Sequence, residues 1–86
     1  MPVISTFYGI AIMMFYAEHG VPHFHVRYAE HQLVMGIDPI QVLAGEAPTR
    51  VVSMVTEWAE LHRQELLSNW ERCRDGQPPL RVAPLE

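Results

Sequence analysis

The sequence predicts an α+β fold, and the first observation behind this prediction is a change of composition near residue 47. Before it, aromatic, β-branched and His residues dominate, punctuated by Gly and Pro, whereas Glu, Arg, Leu and Trp dominate after it, with no Gly or Pro between Thr49 and Asp75. Apolar residues alternate in the first half and recur every three or four positions in the second. We therefore expect one domain over residues 1–86, with a sheet half (1–46), a helical half (47–75) and an extended tail (76–86).

The first half predicts three or four antiparallel strands joined as a meander. The strands are expected at 10–16, 23–28, 33–37 and 40–43, with a short lead-in strand at 5–8. In the second of these, apolar residues alternate with polar ones, so His23, His25 and Arg27 share one face of the sheet.

The second half predicts a long C-terminal helix packed on one face of the sheet. Its apolar residues fall on a single stripe, and Asp75 and Gly76 end it. About 26 helical residues span roughly 39 Å, which exceeds the width of a domain of this size. The helix therefore either breaks near His62 or overhangs the sheet. We favour a continuous or gently bent helix, whose distal half would bury Leu66, Leu67 and Trp70 against a protein partner or a second copy of the chain.

Charge and cysteine content exclude several classes of protein. Ten Asp and Glu residues outweigh six Arg, Lys is absent, and the formal net charge is −4. A nucleic-acid binder usually carries a basic face, so nucleic acid is disfavoured as a partner. Cys73 is the one cysteine, which excludes an intrachain disulfide and fits a reducing cytoplasm. The longest apolar run, Phe7–Ala17, is shorter than the about 20 residues of a transmembrane helix, so we expect a cytoplasmic protein without a membrane segment.

The segment from His19 to Arg27 holds the residues best suited to chemistry, in the pattern His19-x-x-x-His23-x-His25-x-Arg27. Residues two apart on a strand lie about 6.5 to 7 Å apart on one face. The first hypothesis is a site for a divalent metal such as zinc, in which His23 and His25 offer imidazoles, His19 approaches from the preceding turn and water completes the coordination. Substitute ligands nearby in the sequence are Glu18, Glu30 and His31.

Two other interpretations of these histidines remain open. Without a metal, one of His23 and His25 would act as general base and the other as general acid on a phosphate whose charge Arg27 stabilises. Alternatively, the histidines form a polar sheet surface without chemistry. His62 lies on the apolar stripe of the helix, where a lone His is usually a core residue. It would approach the sheet histidines only if the helix crosses their face.

Several short segments of the chain resemble the bacterial domain-of-unknown-function 4160 family. They are Pro2-Val3-Ile4-Ser5, His19-Gly20-Val21-Pro22-His23-Phe24-His25-Val26 and Glu57-Trp58-Ala59-Glu60-Leu61-His62. The resemblance covers nearly the whole chain, although Glu18 and Ala29 stand where that family usually has Asp and Gly. It implies a small single-domain protein, often encoded beside a domain of unknown function 2442, and this pairing is suspected to be a toxin–antitoxin module.

We therefore predict a small partner-binding module, such as one component of a toxin–antitoxin-like pair. The alternative is a His-dependent small hydrolase or ribonuclease. Its catalytic residues would be His23, His25 and Arg27, with or without a divalent metal held by His19, His23 and His25.

Overall fold

Five β-strands and two α-helices follow one another along residues 2–86, the part of the chain that the computed structural model describes. In chain order they are β1 (Val3–Phe7), β2 (Ile10–Met13), β3 (His23–Tyr28), β4 (His31–Ile37), β5 (Ile40–Glu46), α1 (Thr49–Leu61) and α2 (Arg63–Arg74). The strands lie in the sheet in sequence order, each antiparallel to its neighbours. The α+β class and the meander are confirmed. The number of strands is five rather than three or four, because the lead-in segment pairs along β2 as a full edge strand.

The helices cover one face of the sheet, and the core lies between them and that face. Side chains alternate between the two faces of a strand, so Phe24 and Val26 of β3 and Met35 of β4 all point into the core and are buried. Trp58 of α1 is fully buried there, with its ring centroid 5.5 Å from that of Phe7 and 5.8 Å from that of Phe24. The remaining side chains of β3, at alternate positions, lie on the opposite face, which we call the outer face.

The helical half breaks at His62. That residue has φ −122° and ψ 25°, outside the α-helical range, so α1 and α2 are separate helices. The longest dimension of the molecule is 33 Å, whereas one continuous helix of this length needs roughly 39 Å. Of the two alternatives that the sequence leaves, the break is therefore correct and the continuous helix is wrong. Neither helix of the described chain is long and apolar enough to cross a membrane.

The break also changes the surroundings of the three residues predicted to contact a partner. Leu66 and Trp70 are 0% and 5% exposed, and Leu67 packs against the same core. A change of direction at one residue lets α2 bury its apolar stripe within the chain. Leu66 and Trp70 therefore stabilise the fold of the single chain, and Leu67 is partly buried beside them.

The C-terminal tail, residues 76–86, is extended and packs along α2 and β1. The side chain of Asn69 exchanges two hydrogen bonds of 2.8 Å with the backbone of Leu80. The N–H of Val82 donates to the carbonyl oxygen of Ile4 at 2.8 Å, and the Val82 side chain is buried. The tail thereby covers part of β1, one of the two edge strands of the sheet.

Candidate metal centre

The candidate site is built from the start of β3 and the loop that precedes it. Strand alternation places His23 and His25 on the outer face of the sheet. Residues 14–22 return the chain from β2 to β3 and bring Glu18 to these two histidines. The loop is tied to α2, because the N–H of Ala17 donates to the carbonyl oxygen of Cys73 at 3.3 Å. The carboxylate is thus held by a loop that the rest of the fold fixes.

Glu18, His23 and His25 form the cluster that we call the Glu-His-His cluster. One carboxylate oxygen, Oε1 of Glu18, lies 2.6 Å from Nε2 of His25 and 3.3 Å from Nε2 of His23. The three potential ligand atoms all lie within 4.8 Å of one another. Their side chains are 27%, 11% and 25% exposed in chain order, so the cluster is partly buried but a small ion or molecule reaches it from solvent.

The hydrogen-bonding pattern of His23 leaves its second nitrogen directed at the carboxylate. Its Nδ1 lies 2.8 Å from the carbonyl oxygen of Val21. A carbonyl oxygen only accepts, so Nδ1 carries the hydrogen and Nε2 of the neutral ring carries a lone pair. That lone pair faces Oε1 of Glu18 at 3.3 Å. Two acceptors in this position need a cation between them, either a proton or a metal ion.

Aromatic neighbours restrict the orientation of both imidazole rings. Phe15 meets His25 edge-on with the ring centroids 4.4 Å apart, and Trp70 of α2 lies 4.8 Å from the His23 ring. The two imidazoles are themselves 5.3 Å apart and nearly perpendicular. Proteins hold imidazole ligands in place for a metal by these same two means: packing against the ring, and a hydrogen-bond acceptor for its second nitrogen, here the Val21 carbonyl for Nδ1 of His23.

The electrostatics of the cluster keep Glu18 ionised. Burial by itself raises the pKa of this carboxyl, but the hydrogen bonds and charge of His25, followed by those of His23, together lower it below its ordinary value of 4.5. The nearby Cys73 behaves in the opposite way. Burial raises the pKa of the Cys73 thiol, and the charge of Glu18 raises it further against the opposing effect of Arg72. The carboxylate is therefore ionised and available as a ligand, whereas the thiol of the metal-free chain keeps its proton more readily than an ordinary cysteine.

The structure places the other predicted ligands away from this cluster. His19 is exposed and does not belong to the group of atoms that converge. Glu30 and His31 lie at the far end of the β3–β4 hairpin, where His31 stacks on Tyr28. His62 contacts Glu65, with Nδ1 2.6 Å from Oε1, and packs near Trp58. Of the predicted three-histidine set, the fold brings together His23 and His25, and Glu18 takes the place expected for His19.

Arg27, the third residue of the predicted catalytic set, shares the outer face with the two histidines. It lies two positions beyond His25 on β3 and is exposed. Residues at this spacing lie about 6.5 to 7 Å apart along the strand, so Arg27 is a neighbour of the cluster rather than a member of it.

Sequence reasoning missed two contributions to the site. From the sequence, Glu18 is only a substitute ligand, because a loop sequence does not show which of two adjacent side chains turns toward the sheet. The sequence predicts Trp70 at a partner surface, and its contact with His23 depends on the direction of α2 after the break. The sequence does contain one signal for the Glu-His-His cluster, which is the acidic residue Glu18 shortly before the His-x-His pattern of β3.

The fold and the cluster define a small α+β protein with a candidate site of two histidines and one carboxylate. The family model of a domain of unknown function, DUF4160, matches residues 9–71, and the chain belongs to this family. The resemblance inferred from the sequence is thereby confirmed, and the matched range includes the whole Glu-His-His cluster. No curated protein and no solved structure has a significant match to the chain.

Proposed function

We propose that the protein is a small metal-dependent hydrolase in which Glu18, His23 and His25 bind a divalent transition-metal ion such as zinc. The observation that carries the proposal is the convergence of these three donors on one point, with Nδ1 of His23 already bonded to a carbonyl. Ligands about 2.1 Å from one ion lie about 3.4 Å apart, so side-chain rotation is enough to close the present cluster around a metal.

The composition of the donor set suits catalysis better than a structural role. Imidazole and carboxylate ligands are typical of zinc and of other first-row divalent metals. Three protein ligands leave a coordination position for water, which a metal ion activates as a nucleophile. Structural zinc sites, in contrast, usually have four protein ligands, whereas three donors converge among the described residues here.

A metal titration tests the binding part of the proposal. The chain is produced without a His tag, freed of metal with a chelator and titrated with Co²⁺, whose visible absorption reports imidazole and carboxylate ligation, and with Zn²⁺ by calorimetry. We expect one ion per chain, and at least about tenfold weaker binding in His25→Ala and in Glu18→Gln. His19→Ala is the matched control, because it removes an imidazole from the same loop without touching the cluster.

The outcomes separate the two ligand sets. Loss of binding in Glu18→Gln but not in His19→Ala supports the Glu-His-His cluster. The reverse result would restore the three-histidine set of His19, His23 and His25. Unchanged Co²⁺ spectra in all three variants would show that the ion binds elsewhere and would overturn the proposal.

Hydrolysis is tested separately with p-nitrophenyl acetate, a neutral ester that needs no anion-binding group. We expect the zinc-loaded chain to release p-nitrophenol faster than the chelated chain and faster than zinc-loaded His25→Ala. Equal rates in the loaded and the chelated chain, both lost in His25→Ala, would favour metal-free acid–base catalysis. The 2.6 Å hydrogen bond between Glu18 and His25 supports that second mechanism, because it orients the imidazole.

A partner-binding module, such as one component of a toxin–antitoxin-like pair, is the second candidate function. Its distal-helix surface is buried, but the edge strand β5 offers another. Within the described chain β5 pairs with β4 alone, and Val42 and Leu43 remain 42% and 41% exposed. Long edge strands with few charges accept a further strand. Light scattering tests this: a dimer that Val42→Lys dissociates supports self-association, and a monomer at all concentrations contradicts it.

A further inference from the structure

A groove on the outer face of the sheet begins at the Glu-His-His cluster and runs along β3 and β4. It has a volume of about 410 Å³, and its lining includes His25 and Arg27. Sites for small molecules commonly have volumes of about 300 to 1,000 Å³. The groove is therefore large enough for a small organic molecule, and one of the proposed metal ligands, His25, is part of its lining.

Strand register arranges the floor of this groove in two rows. In the first row, His25 lies between Met13 of β2 and Val34 of β4. In the second row, Arg27 lies between Ala11 and Gln32. Directly opposed residues have their Cβ atoms about 4.5 to 5.5 Å apart. The first row thus combines an imidazole with apolar surface, and the second combines a cation with an amide.

The second row is suited to an anion. Among the described residues that line the groove none is acidic, and Arg27 makes no ion pair within residues 2–86. Four other arginines donate hydrogen bonds within the fold: Arg50 to Tyr28, Arg72 to the carbonyl oxygen of Pro78, Arg74 to Glu71 and Arg81 to the carbonyl oxygen of Val3. Arg27 is exposed and therefore presents its guanidinium to whatever occupies the groove.

We propose that this groove binds the substrate of the site and that the substrate is a small phosphate ester. This inference rests on the proposed function and names its substrate class. Arg27 would bind two phosphoryl oxygens and Gln32 would assist it, while the organic group packs on Met13 and Val34 of the first row and on Phe15 beside them. The scissile ester bond would then lie between Arg27 and the Glu-His-His cluster.

Phosphate fits this arrangement better than a carboxylate does. A carboxylate has two oxygens, and a bidentate guanidinium occupies both. A phosphoryl group has a further oxygen, and this oxygen would face the metal ligands beside the first row. The substrate is a small molecule rather than a nucleic acid, because a chain of net charge −4 repels a polyanion and the groove contains a single cation. Hydrolysis would add water across the ester bond, giving an alcohol and phosphate.

Binding to the metal-free protein tests the groove independently of the metal. Phenyl phosphate is titrated into the chelated, ¹⁵N-labelled chain, and the Nε–H signal of Arg27 and the side-chain amide of Gln32 are followed by NMR. We expect both signals to shift, and Arg27→Ala to weaken binding at least about tenfold. Arg74→Ala is the matched control, because it removes the same charge from an exposed position at the end of α2. Benzyl alcohol is the neutral analogue and is expected not to shift these signals.

The zinc-loaded protein then tests the choice of phosphate. We expect phenyl phosphate to bind at least about tenfold more tightly than benzoate, because only phosphate has an oxygen left for the metal. Equal affinity for benzoate would overturn the phosphate assignment. Equal weakening in Arg27→Ala and Arg74→Ala would overturn the groove itself. Arg27-dependent binding in a chain that takes up no metal would leave the groove intact and contradict the proposed function instead.

Discussion

Glu18 and His25 lie on different segments, one in the loop after β2 and the other within β3, yet Oε1 of Glu18 lies 2.6 Å from Nε2 of His25. The contact closes the β2–β3 loop over the outer face of the sheet. It also joins an ionised carboxylate to a side chain whose neighbours, Phe15 and Val34, are apolar. The interaction therefore stabilises the loop in the metal-free protein and assembles the donors of the proposed site.

Glu18→Gln should destabilise the metal-free protein in a pH-dependent way. The pKa of Glu18 is lowered in the folded chain, so its stabilising contribution is complete above the pKa of the unfolded chain and is lost as the pH falls through the folded value. We expect Glu18→Gln to cost about 1 kcal/mol at pH 7 and less at pH 3. Urea unfolding with a chelator present measures this. A cost that is the same at both pH values would show that the histidines do not hold the carboxylate ionised.

Ala29→Gly should stabilise the protein. Ala29 is the first residue of the two-residue turn between β3 and β4 and has φ 52°, a conformation that costs an L-residue about 1 to 2 kcal/mol. Glycine removes that cost but increases the entropy of the unfolded chain, so we expect a net gain of about 0.5 to 1 kcal/mol. Ala83→Gly, in the tail at negative φ, should destabilise the chain by a similar amount. Thermal unfolding that moved both variants in the same direction would contradict this account.

Gly45→Ala should be far more damaging than Gly76→Ala. Both glycines have positive φ, +83° and +79°, so the backbone strain of the substitution is the same. A Cβ on Gly45 would lie 2.1 Å from the backbone oxygen of Gln32, whereas nothing lies within 4 Å of one on Gly76. We expect a cost of about 1 kcal/mol for Gly76→Ala and more than about 3 kcal/mol, or failure to fold, for Gly45→Ala. Similar urea midpoints for the two variants would show that β4 and β5 are not this close.

Leu66→Ala should destabilise a single chain rather than an interface between chains. Leu66 is fully buried by the chain's own residues, so we expect a cost of about 2 to 5 kcal/mol. Leu61→Ala, at a leucine that is 68% exposed, should change the free energy of unfolding by less than about 0.5 kcal/mol. The measurement is urea unfolding at several protein concentrations. A cost that appears only at high concentration would place Leu66 in an interface after all.

Much of the fold could be predicted because it depends on periodic patterns along the chain. The alternation of apolar and polar residues in β3 predicts the face on which His23 and His25 lie. The recurrence of apolar residues every three or four positions predicts the stripe that α1 and α2 bury. The first strand was harder to predict, because β1 lacks clear alternation: Ile4 and Ser5 are both buried at a register shift. The helix break was harder still, since it depends on the dimensions of the core rather than on any residue near His62.

The candidate site likewise has one part that the sequence predicts and one part that it does not. His23 and His25 follow from their spacing on one strand, whereas the choice between Glu18 and His19 does not. Adjacent loop residues point in different directions, and the loop that carries both is held to α2 by the hydrogen bond from Ala17 to Cys73. The pairing of Arg27 with Gln32 likewise depends on the register between β3 and β4.

Four properties of the protein follow from its sequence without a structure: the α+β class, the single cysteine, the acidic net charge and the shared face of His23, His25 and Arg27. Those properties are local or additive, so composition and strand geometry are enough to derive them. Tertiary structure alone decided that α2 buries Leu66 and Trp70 and that Glu18 completes the cluster. These outcomes depend on contacts between segments far apart in the chain. The free energy of burying one shared core selects those contacts, and no single segment encodes them.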